Sequence, residues 1–215
     1  MSLEHEHRGT SALAGGIRAA RAFDAPAFEE AVRALLAACG VEGEPHMAQT
    51  AERVRVLWQE RLLDGYHQDL ASVLGEGFAD PRTDVVVVRG IAVHGVCPHH
   101  LLPFRGKAHV AYLPGGRLHG FGRIARLVDV LAHRFTFQEW LTRDIADALI
   151  TLGHAQGAAV VVETEQLCLL LGEDRRSDER VLTQAFAGIY ETDPSRRAEI
   201  HRLLLPGCDA DPAGR

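Results

Sequence analysis

The chain has 215 residues, 47% hydrophobic and 24% charged, with a formal net charge of −6. That is enough apolar material for one full core, and the mild acidity argues against a dedicated nucleic-acid binder while leaving room for a local basic pocket that takes a phosphorylated small molecule. No apolar run approaches the roughly 20 residues of a membrane span and the N-terminus lacks the apolar core of a secretory signal, so a cytoplasmic protein without membrane contact is expected, whose four cysteines read as ligands or core residues rather than disulfides.

Residues 1–22 show no sustained apolar period and are expected to form a mobile arm, in which Glu4-His5-Glu6-His7 reads as a solvated cluster or an adventitious metal binder. A helical region is expected over 23–75. From Ala25, the residues Phe28, Val32, Leu35 and Leu36 share one helical face, with Asp24 as N-cap, Pro26 in the first turn and Gly40 as the stop. A second helix starts near Gln49 and carries Val54, Leu57, Trp58 and Leu62. Cys39, on the apolar side where the first helix ends, reads as a core thiol.

The main domain is expected over 76–205. Its first strand is the β-branched run Asp84 to Val88 followed by Ile91-Ala92-Val93, and it leads into Cys97-Pro98-His99-His100. A second strand, Lys107 to Leu113, is broken by Pro114-Gly115-Gly116.

Zinc accepts cysteine sulfur and histidine nitrogen, and a catalytic zinc needs three protein ligands with a fourth position open. Cys97 and His100 supply two, provided the chain turns between them, because in a straight strand residues three apart point to opposite faces. Pro98 favours such a turn. The third ligand must be Cys39, Cys168 or Cys208.

Beyond the second strand, Ile124, Leu127, Val128 and Leu131 form the buried stripe of a helix whose N-terminal end carries Arg123 and Arg126. These suit an anion such as phosphate, or are solvated surface arginines. The next helix starts near Gln138 and buries Leu141, Ile145, Leu149 and Leu152, with Glu139 in its first turn, where an acidic residue also simply favours the helix dipole. A third strand opens at Gly157 and is expected to continue through Glu163 to Leu171, carrying Cys168. A fourth runs from about Arg180 to Tyr190, a helix from Pro194 to Leu205, and a mobile tail over 206–215 holds Cys208. A strand can lay Cys168 beside the turn at Cys97, which makes it the best third ligand.

Several segments, in this order, resemble the GTP cyclohydrolase I family: Gly65-Tyr66-His67-Gln68-Asp69, Cys97-Pro98-His99-His100-Leu101-Leu102-Pro103-Phe104-Arg105-Gly106-Lys107, Ile124-Ala125-Arg126, and Gln138-Glu139 with Leu141-Thr142. The resemblance spans roughly residues 28 to 205. It implies an α+β tunnelling fold: a four-stranded antiparallel sheet with helices on one face, an N-terminal helical pair, and subunits joined in a homo-oligomeric ring, commonly a decamer. It also implies that Cys97, His100 and Cys168 bind Zn2+, that His99 is catalytic, and that Glu139, helped by Gln138, reads the guanine edge. The implied reaction opens the imidazole ring of GTP at C8, releases formate and forms 7,8-dihydroneopterin triphosphate for tetrahydrofolate and pterin synthesis.

The chain departs from the family pattern in four places. Pro98 stands where the family has glutamate, and Gln166 replaces the second catalytic histidine. Gly172 takes the place of a phosphate-binding arginine, and Gly122-Arg123 replaces Ser-Lys. An amide cannot transfer protons at neutral pH. Arg123, Arg126, Arg175 and Arg176 remain to hold phosphates. The departures define the alternatives: a diverged member that stalls at a formamidopyrimidine nucleotide or takes another purine, and a non-catalytic purine- or pterin-binding regulatory subunit.

Overall fold

The computed structural model describes residues 22–41, 43–172 and 179–205, which form two compact units divided between Gln59 and Glu60. In the first unit, α1 (Ala25–Ala38) starts where Asp24 Oδ1 accepts from the Ala27 N–H at 3.0 Å, with Pro26 in the first turn. The expected cap is therefore the one used. Helix α2 (Thr50–Leu57) continues into a π-helical turn, Trp58–Leu62. Phe28 meets Trp58 at 5.7 Å between centroids, and Arg55 Nε donates to Glu29 at 2.9 Å.

The second unit is an α+β sandwich. After a short helix α3 (Leu70–Leu74) and a two-residue strand β1 (Phe78–Ala79), the chain enters β2 (Val86–Val96), β3 (Pro103–Leu113) and the short β4 (Arg117–Leu118). Helices α4 (Phe121–Ala132) and α5 (Gln138–Thr151) follow. Then come β5 (Gly157–Gln166), a helical turn α6 (Leu167–Leu170), β6 (Val181–Gly188), α7 (Ile189–Thr192) and α8 (Pro194–Leu204). The four long strands form one antiparallel sheet in the order β2-β3-β5-β6, while β1 pairs with β4 apart from it.

Alternation along the strands builds two buried faces. One packs against α4 and α5, whose stripes of Ile124, Leu127, Val128 and Leu131, and of Leu141, Ile145 and Leu149, are buried. Each such side chain stabilises the fold by about 1.5–3 kcal/mol. The other face carries Ala111, Leu113, Ala159 and Val161, which cluster with Tyr190 and with Ile200 and Leu204 of α8. The C-terminal helix thus adds cover on the face opposite the expected helical layer. Strand β2 runs through both parts of the anticipated β-branched segment because the register shifts between Val88 and Ile91, where Gly90 takes φ +75°. A bulge of this kind places one residue in the left-handed region, which glycine occupies without steric cost.

Candidate functional site

The hairpin β2–β3 closes its ladder at Val96 and Pro103, so β3 begins four residues before the expected start at Lys107. Proline is tolerated as the first residue of a strand because no ladder donor is needed there. The connection Cys97–Leu102 is held by Cys97 N–H to Leu102 O at 3.0 Å and Leu101 N–H to Cys97 O at 2.9 Å, with Leu101 at φ +55°. A non-glycine residue in that region costs about 1–2 kcal/mol and marks a turn held by its surroundings.

Register carries the second half of the site to the first. Phe104 on β3 pairs with Gln166 on β5, so the end of β5 lies beside the hairpin connection. The chain then turns into α6, closed by Leu171 N–H to Leu167 O at 2.9 Å. Cys168 therefore sits on a helical turn and not on a strand running to Leu171, as expected. The leucines of 167–170 are good helix formers, whereas the β-branched run Val160-Val161-Val162 that precedes them is not. The three side chains nevertheless come together: donor atoms of Cys97, His100 and Cys168 all lie within 4.8 Å of one another and could hold a metal ion.

Cys97 is buried, Cys168 half-buried and His100 exposed, so the cluster opens to solvent on the imidazole side. Burial pushes the Cys168 thiol up, and the neighbouring Cys97 sulfur pushes it further. Two thiols so placed resist joint ionisation, and a cation between them removes that penalty. Two sulfurs and one imidazole fit a borderline-soft divalent ion with an open coordination position.

His99 is exposed, and its ring lies 4.6 Å from that of Phe137, tilted by 56°. Phe137 is the residue from which α5 starts, so Glu139, exposed in the first turn of α5, is two positions further on. Gln138 between them is buried and its amide is fully engaged. Its Nε2 donates to Val162 O at 2.9 Å and Val181 O at 2.8 Å, while its Oε1 accepts from Thr164 Oγ1 at 2.6 Å and Gln166 Nε2 at 2.8 Å. Gln166 also donates to Thr164 Oγ1 at 2.9 Å. Gln138 thus locks the start of α5 to β5 and β6 and orients Gln166.

Arg123 and Arg126 are exposed on the first turns of α4. Arg123 Nη1 donates to Val73 O at 3.2 Å; Arg126 Nη2 donates to Gln68 Oε1 at 2.9 Å and lies 3.7 Å from Asp64 Oδ2. Near the end of β5, Glu165 pairs with Arg105 at 2.9 Å and Arg180 at 3.1 Å, and these guanidinium hydrogen bonds lower its pKa. Arg175, Arg176, residues 1–21 of the expected arm over 1–22, and the expected tail over 206–215 with Cys208 lie outside the described residues.

The sequence reading missed one polar chain. Asp64 Oδ1 contacts His133 Nδ1 at 2.8 Å, and His133 Nε2 contacts His94 Nε2 at 2.9 Å. It joins the turn before α3, the C-terminal end of α4 and β2 close to Cys97. No period or spacing encodes it, since the three residues meet only through the packing of α4 on β2.

The profile of the GTP cyclohydrolase I family matches residues 28–205. The chain is 60% identical over 195 residues to the GTP cyclohydrolase 1 of Ralstonia nicotianae, covering 90% of this chain and 93% of that protein. It is 58% identical over 202 residues to the GTP cyclohydrolase 1 of Chromobacterium violaceum, covering 94% and 97%. It is 38% identical over 195 residues to that of Corynebacterium aurimucosum, covering 89% and 99%.

Proposed function

The chain belongs to the GTP cyclohydrolase I family, and from that premise we propose that it hydrolyses the guanine ring of GTP at C8, releasing formate and forming 7,8-dihydroneopterin triphosphate. The observation that carries this reading is the convergence of Cys97, His100 and Cys168 within 4.8 Å beside His99. The ion they hold is zinc, which when bound supplies the Lewis acidity that activates water at neutral pH.

The remaining steps fall to the chain itself. Glu139, exposed at the start of α5, offers both carboxylate oxygens to the guanine N1–H and 2-amino group, a pair of charge-assisted hydrogen bonds that fixes the base. His99 moves a proton at the purine nitrogens as the imidazole ring opens, a task suited to imidazole. Gln138 holds Glu139 in place through the start of α5. Arg123 and Arg126 take the triphosphate once the carbonyl partner of the first and the amide partner of the second are exchanged for phosphate oxygens, and Arg175 joins them in binding it. The subunits assemble as a homo-oligomeric ring in the cytoplasm, with main domain 76–205 and helical region 23–75.

Purified, zinc-loaded protein incubated with GTP should release formate and give a fluorescent pterin after oxidation. Neither product, with zinc and assembly intact, would overturn the proposal.

Gln166 favours a second reading. Its amide is bound to Gln138 and Thr164 where the family places a proton-transferring histidine, and loss of one general acid-base group costs about a hundredfold or more. The chain then stops at a formamidopyrimidine nucleotide, with C8 retained as an N-formyl group that is visible by mass spectrometry. On this reading Gln166→His raises pterin formation by at least tenfold; an unchanged rate removes it.

A further inference from the structure

Phe137 breaks a local rule. It occupies the N-cap of α5 with extended backbone, φ −84° and ψ 151°, and provides no side-chain cap. Ser, Thr, Asp and Asn are favoured there because they accept from the first free N–H groups. A residue that gives up this stabilisation is expected to serve something else. Its ring faces His99 at 4.6 Å and is met edge-on by Trp140 at 4.5 Å and 85°. Its backbone is immobilised from both sides. Thr136 N–H donates to Val96 O at 3.4 Å, Leu141 N–H donates to Phe137 O at 2.9 Å, and the adjacent Gln138 is fixed through four hydrogen bonds.

His99, by contrast, is an exposed side chain on a connection between strands. An imidazole so placed must lose rotamer freedom before it can act at a defined atom, and misplacement by an ångström is costly in rate. We propose that Phe137, backed by Trp140, is a positioning residue: its ring holds the His99 imidazole at the angle used for proton transfer and ties it to the helix start that carries Glu139. This rests on the reading of His99 as the proton-transfer group. Aromatic contacts of this kind are worth about 0.5–1.5 kcal/mol beyond their burial, which corresponds to about twofold to twelvefold in rate.

The test compares Phe137→Leu, which keeps apolar bulk, with Phe137→Tyr, which keeps the ring. Phe137→Leu should lower kcat about threefold to tenfold, with KM for GTP within about twofold and zinc content unchanged; Phe137→Tyr should restore kcat. In a His99→Ala background the Leu change should have less than about a twofold further effect, because the interaction it removes is already gone. A second readout does not depend on turnover. Carbethoxylation of His99 by diethyl pyrocarbonate, followed by mass spectrometry, should proceed several-fold faster in Phe137→Leu than in the parent or in Phe137→Tyr. Equal kcat and equal His99 reactivity in the parent and Phe137→Leu overturn the proposal. If the parent forms no product while the reactivity difference holds, the functional reading fails and the positioning contact stands.

Discussion

Gln138 shows why a site residue is not defined by what it touches in the substrate. The family resemblance implies that it helps Glu139 read guanine, yet the amide has no capacity to spare. Its Nε2 hydrogens go to Val162 O and Val181 O, and its oxygen takes Thr164 and Gln166. Removing a buried hydrogen-bonding group leaves its partners unsatisfied, at about 1–3 kcal/mol for a single group. Gln138→Leu therefore removes one partner each from two carbonyls, the Thr164 hydroxyl and the Gln166 amide, and should destabilise the fold by about 2–4 kcal/mol in urea titrations. A loss below about 0.5 kcal/mol would mean that water replaces the amide at no cost, and that the lock described here is not structural.

Two elements must meet for the Cys97–His100–Cys168 cluster to exist, and their closeness is set by one glycine. A Cβ at Gly106 would lie 1.9 Å from Glu163 O and 2.7 Å from Thr164 Cα, so β3 approaches β5 at a distance that only glycine allows. This crossing lies two residues from the Phe104–Gln166 pair that aligns Cys97 with Cys168. Gly106→Ala should push the strands apart there, and the expected result is lost zinc retention together with a fall in thermal stability. Full zinc occupancy in a folded Gly106→Ala protein would show that register is maintained by other contacts. The polar chain between α4 and β2 makes a different prediction. Burial lowers the pKa of His94, and the neighbouring His133 lowers it further, against opposing contributions from Asp129 and Asp64. His94 thus gains its proton at lower pH in the folded chain than in the unfolded one, whose ordinary value is 6.5. Between those two values the unfolded chain binds more protons, so stability falls as pH drops below about 6.5 and is level with respect to His94 above it. Half-buried His109, lowered by burial and by Arg89, contributes in the same direction. The His94→Asn variant should lose less stability than the parent between about pH 6.5 and 5. Parallel curves of denaturation midpoint against pH would refute this.

At the scale of the molecule, the parts legible in the sequence are those with a period or a scarce residue type. The stripes of α4 and α5 follow from apolar spacing, and the candidate ligands follow from a chain with few cysteines and one Cys-x-x-His. The helical turn under Cys168 was not legible, because a leucine run after a strand fits either conformation until packing decides. Nor was the Asp64-His133-His94 chain, whose members come from three separate elements. What the single chain leaves open is its sheet edges: among the described residues β2 and β6 have no strand on their outer sides. Soluble proteins rarely leave such edges bare, and closing a sheet with copies of itself is one solution. Leu182 on β6 is 47% exposed, an apolar side chain on an edge strand with Glu163 as its register partner on β5. If β6 pairs with another subunit, Leu182→Glu places a carboxylate in that contact while leaving the interior of the single subunit untouched. Sedimentation should then show the parent as an assembly of subunits and the variant as smaller species that keep zinc, at equal protein concentration. An unchanged sedimentation coefficient would place the subunit contact elsewhere than on β6.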